Sequence, residues 1–161
     1  PGSVEVGGDA DSTFVPLHDG DELLVEFGSQ GGQHVWAGVR GDGMHPGSPD
    51  LSEGLRNGDL PFVSFELESP DGVHSADNLS RIPLVPQDEG GYGLTRRQVP
   101  FRSWVVYPEN WQEITVQERQ AALEAMEWVL RVIVEDACGD TLVDERSVRL
   151  KFPAGGGEEA G

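Results

Sequence analysis

From Trp128 to Phe152 the apolar side chains fall at every second position. Trp128, Leu130, Val132 and Val134 share one parity, the acidic stretch EDACGD follows, and Val148, Leu150 and Phe152 resume the alternation with Arg149 and Lys151 between them. An extended chain sends successive side chains to opposite faces, so this pattern buries one face of two strands joined by a turn. A helix would scatter the same residues around its circumference. A hairpin with one oily face needs a second sheet to cover it, and that requirement limits the chain to a few layered β architectures.

The same period recurs upstream. ELLVEF (22–27) sets Leu23, Val25 and Phe27 against Glu22 and Glu26, and QHVWAGVR (33–40) sets Val35, Ala37 and Val39 against His34, Trp36 and Arg40. Between them, GSQGG suits a hairpin or a tight crossing between sheets. PFVSFELESPDG (61–72) is a further strand ending in turn chemistry, and FRSWVVY (101–107) another. RIPLV (81–85) carries Pro83, which cannot donate to a central ladder and assigns the segment to an edge. Residues 41–60, with five glycines and two prolines, read as loop. Helical signals concentrate in TVQERQAALEAM (115–126), where Thr115 and Glu118 have capping-box spacing. Gly (22) and Pro (11) make about a fifth of the 161 residues, well above the ~12% of ordinary usage. Many turns between short strands follow. The expected fold is an all-β antiparallel sandwich over residues 13–152, with one short helix before the penultimate strand. Residues 1–12 are expected as a flexible acidic arm that opens on a tag-like Pro-Gly-Ser, and 153–161 as a disordered tail.

The run Leu130-x-Val132-x-Val134-x-Asp136-x-x-Gly139, followed by a final alternating strand, resembles the closing hairpin of bacterial immunoglobulin-like domains. QGG-x-His-Val-Trp (30–36) resembles stretches of uncharacterised secreted bacterial proteins. The resemblance implies an immunoglobulin-like sandwich working outside the cytoplasm, in the periplasm, at the cell surface or secreted, its leader removed ahead of the first residue. The cysteine pair of antibody-type domains is absent, because Cys138 is the sole cysteine.

A net charge of −18 repels a phosphate backbone and argues against nucleic-acid partners. No stretch approaches the ~20 apolar residues of a membrane-spanning helix. No G-x-S-x-G elbow or phosphate-binding loop is present, so the expected protein is not an enzyme. Glu66 and Glu68 share a strand face, as solvated carboxylates commonly do. His34, Met44 and His45, with His18 in reserve, are the candidate copper ligands, since imidazole and thioether suit that ion. Asp136, Asp140 and Asp144 are the candidate calcium ligands, with Asp19, Asp21 and Glu22 as a second acidic cluster. Trp111 in YPENWQE is the candidate platform for a protein or glycan partner. The expected function is a non-enzymatic binding or structural module of the bacterial envelope. The alternative is a periplasmic or surface metal-binding protein using calcium or copper.

Overall fold

The computed structural model describes residues 2–28, 32–103, 105 and 114–153. Two sheets press their apolar faces together. One, sheet A, is six-stranded: β2 (Thr13–Pro16), β1 (Ser3–Ala10), β5 (Gln33–Asp42), β9 (Tyr92–Pro100) and β8 (Val85–Pro86) lie in that order, and β4 (Glu26–Phe27) pairs with the start of β5. The other, sheet B, runs β3 (Asp21–Leu24), β11 (Thr141–Lys151), β10 (Trp128–Glu135), β6 (Phe62–Glu68), β7 (Ser75–Arg81). Leu130, Val132, Val134, Val148 and Leu150 from sheet B meet Val6, Val35, Val39, Leu94 and Val99 from sheet A, all buried. The all-β sandwich expected from the alternation is what forms.

Hydrogen bonds close both seams between the sheets. On one side the amide of Val6 donates to Asp144 at 2.8 Å. On the other, the Asn78 side chain donates to the Gln98 carbonyl at 2.7 Å, Ala76 and Phe101 form a bridge, and Arg102 donates its amide to Ser75.

Several local expectations need correction. Residues 3–10 are not a flexible arm: they form β1, held between β5 and β2. Its apolar content is low because Gly7 packs where a side chain would not fit. A Cβ on Gly7 would stand 2.4 Å from the Phe14 ring. The ordered sandwich therefore begins near Ser3 rather than at residue 13. Residues 41–60 hold a second helix, α1 (Leu51–Asn57). Asp50 caps it by accepting the Glu53 amide at 2.8 Å, and Gly58 closes it at φ 66°. Residues 22–27 do not form one strand. The chain leaves sheet B after β3 and enters sheet A at β4, with Val25 fully buried at the crossing. β3 pairs in parallel with β11, so the sandwich is not wholly antiparallel. Within 101–107, Phe101 contributes its isolated bridge, and residues 104, 106 and 107 lie outside the described residues, as does the tail from 154 on. β7 and β9 also escape the alternation rule. β7 is a polar edge strand, and β9 carries a bulge: Thr95 and Arg96 stand opposite the single Gly38, with Arg96 at φ 53°.

The helix expected over 115–126 is α2 (Val116–Ala125), with Thr115 accepting the Glu118 amide at 3.0 Å. Leu123 plugs α2 into the core, and the fully buried Trp128 donates its indole N–H to the Leu123 carbonyl at 3.0 Å.

Candidate functional site

The outward positions of β5 are His34 and Trp36, then Gly38 and Arg40. Across this face aromatic rings and guanidinium groups form two stacks. The Phe14 ring covers Gly7 and Gly38, and the Arg40 guanidinium lies 4.6 Å above it. Arg40 is held there by Glu5 and Glu89, at 3.1 and 2.8 Å. The bulge in β9 swings Arg96 over the Trp36 ring, 4.3 Å from its centroid, where it pairs with the buried Asp9 carboxylate at 3.0 Å. Trp36 in turn donates its indole N–H to Glu26 at 2.6 Å.

His34 sits at the open end of this row, edge-on to Trp36 with centroids 5.0 Å apart. It is 6% exposed, and its Nε2 has no hydrogen-bond partner. The nearest carboxylate oxygen, on Glu26, is 3.6 Å away, beyond hydrogen-bonding reach. Burial lowers the pKa of the imidazole, Glu26 pulls it back up, and Arg96 adds to the lowering. Beside His34 lies a recess of about 270 Å³ lined by Gly28, Gly32, Gln33, Gln98, Pro100 and Phe101 together with the histidine itself. Gln33 is also buried. Its side-chain oxygen accepts the Val105 amide at 3.0 Å, while its nitrogen is unpartnered. A buried polar atom without a partner is costly, so this end of the sandwich carries unspent hydrogen-bonding capacity. A larger hollow of about 370 Å³ on the same sheet, between Ser3, Glu5, Arg40 and Glu89, is different: its arginine is already spent on the two glutamates.

The candidate copper ligands are not brought together. His34 begins β5, and Met44 and His45 lie beyond its far end, about 25 Å away at the usual rise per strand residue. Met44 is buried in the core, its methyl packed toward Gly41. His45 is tied through its backbone to the β10–β11 turn, donating to Asp136 at 3.0 Å and accepting from Ala137. His18 is exposed beside Asp21.

Two of the three candidate calcium ligands, Asp136 and Asp144, are engaged by the fold. Both oxygens of Asp136 are used, one by the His45 amide and the other by the amides of Cys138 and Asp140. Burial pushes the Asp136 carboxyl up, but these three amides outweigh it and hold the group below its ordinary range. Asp144 accepts from Val6 and from Arg146, and Asp140 is exposed. In the second acidic cluster, Asp19 accepts the Ser147 amide and Asp21 the His18 amide. Among the described residues, no three His, Cys, Asp or Glu side chains are placed to hold a metal ion together. Glu66 pairs with Arg131 on the outer face of sheet B. Trp111 lies outside the described residues.

The recess at His34 was not legible as a pocket. The signal was partly visible in the glycines flanking residues 29–31 and in the His34–Trp36 pair, but the other wall comes from β9 and Phe101, more than sixty residues later. No helix among the described residues is long and apolar enough to cross a membrane. Set against known proteins, the chain matches no family model, no curated protein and no solved structure.

Proposed function

We propose that this protein is a non-enzymatic binding module of immunoglobulin-like type, working outside the cytoplasm at the bacterial envelope. The recess at His34 carries this reading. It is a formed hollow on a packed sandwich, lined by glycines, two apolar rings, the exposed Gln98 and the edge of the buried His34. Its described lining includes one titratable group, His34, and no Ser, Cys, Asp or Glu, and the neighbouring Glu26 accepts the Trp36 indole N–H. That composition supports recognition over catalysis.

The strand order supports the immunoglobulin-like part. The runs β5-β9-β8 and β11-β10-β6-β7 follow the B-E-D and G-F-C-C′ orders of that sandwich, with β1 and β2 added beside β5. The likeness of the closing hairpin supports the location. A fragment screen by ligand-observed NMR tests the binding function: small polar compounds should bind competitively at one place, and a protein that binds none of them is a spacer. Immunoblotting of envelope and cytosolic fractions of the source cells tests the location, since a purely cytosolic signal removes it.

A further inference from the structure

The chemistry of the recess narrows its ligand. The described lining has no cation to attract an anion, and the chain as a whole carries −18. The described lining has no carboxylate to hold a cation either, and one oxygen of the neighbouring Glu26 already accepts the Trp36 indole N–H. An extended peptide would add to a strand edge, but beside the recess β5 has both taken: β4 pairs with it at Gln33 and His34, and β9 covers the other edge from His34 on.

What remains is uncharged hydrogen bonding beside apolar surface. The exposed Gln98 amide offers a donor and an acceptor, and a neutral imidazole at His34, its Nε2 closed to solvent, adds an uncharged wall. Burial of His34 lowers its pKa and so favours that neutral form near pH 7. Pro100 and Phe101 supply apolar surface, and Gly28 and Gly32 let a ligand approach the backbone. Hydroxyl groups both donate and accept, and a sugar ring carries them around an edge while presenting C–H faces. Pockets for drug-sized ligands run about 300–1,000 Å³, so a recess of about 270 Å³ suits a single ring.

We propose that the recess between His34, Gln98, Pro100 and Phe101 is a subsite for one uncharged sugar ring of a glycan. This rests on the binding-module reading and names its ligand class.

The test is amide chemical-shift mapping of the full chain with separate probes: neutral methyl hexosides, N-acetylglycine methylamide, methylguanidinium, acetate and zinc ion. A methyl hexoside should shift the amides of Gly32, His34 and Phe101, with a Kd on the order of millimolar for a single ring. Two variants locate the site. A Cβ at Gly32 would meet nothing within 4 Å, and Gly32 lines the recess, so Gly32→Phe is expected to fold and to fill part of the hollow. It should raise the Kd at least about tenfold. Gln98→Ala, at an exposed position, should weaken binding severalfold with an unchanged unfolding midpoint. Hexoside shifts that survive Gly32→Phe would overturn the site. Shifts at these amides from the amide, the guanidinium, acetate or zinc, and from no hexoside, would overturn the sugar assignment while leaving a binding module. No shift from any probe would overturn both.

Discussion

Asp136 shows how much one side chain of this fold carries. Its carboxylate accepts three backbone amides and ties the 43–50 segment to the β10–β11 turn. Replacing it with alanine leaves those donors unpaired, and a loss of about 1–3 kcal/mol is expected in urea denaturation. Two buried histidines set the pH response. Burial lowers the pKa of His34, and burial together with the neighbouring Arg119 lowers that of His74. The unfolded chain then binds protons that the native state refuses. Stability is full above the ordinary value of 6.5 and falls as pH drops below it toward the lowered native pKa. Unfolding midpoints measured from pH 7.5 to 5 should decline over that window, and His74→Gln should flatten the decline. A midpoint that stays level would show that these rings are protonated in the fold as readily as out of it.

At the scale of single elements, β1 and β5 depend on glycine for contact. Gly7 and Gly38 face each other across the ladder under the Phe14 ring, and a Cβ at Gly7 would come within 2.5 Å of the Val15 carbonyl as well. Gly7→Ala should therefore cost about 1–3 kcal/mol by overpacking, measurable as a shift in thermal midpoint. In β10, Leu130 is fully buried between the sheets, and Leu130→Ala should cost about 2–5 kcal/mol. Legibility differed between these elements for physical reasons. β10 and β11 alternate cleanly, because an oily face against a sheet demands it at every second residue. β9 does not, because its bulge shifts Leu94 and Val99 to the same face five residues apart. β7 places Ala76 inward, fully buried, and keeps exposed residues such as Leu79 and Arg81 on its outer side, so it reads as loop. α1 had its signals, Asp50 three residues before Glu53 and Gly58 after the last turn, but its seven residues expose Leu51 and Leu55 and give little amphipathic contrast.

Across the whole molecule, the two ends of the chain are structurally joined. β1 abuts β11 through Val6 and Asp144, and β3 runs parallel to β11. Removing residues 1–12 should strip the cover from β5 and break one seam. A loss of more than about 4 kcal/mol is expected, seen as an early or absent cooperative transition in denaturant. A transition that keeps its midpoint would return the segment to the status of an arm. The candidate site follows the same logic of scale. His34, Gly28 and Gly32 were visible as an unusual local stretch, and the remaining wall was not. The copper candidates stand apart because eight residues of β5 and Gly43 lie between His34 and Met44, and of the calcium candidates Asp136 is engaged by backbone amides and Asp144 by Val6 and Arg146. The alternation of apolar residues determined by itself that two sheets would pack face to face, since buried surface is counted residue by residue along each strand. Only the tertiary structure decided which strands lie side by side, that a glycine-rich start becomes a core strand, and where a recess opens. Those outcomes rest on contacts between residues far apart in the chain, and period and composition carry no record of them.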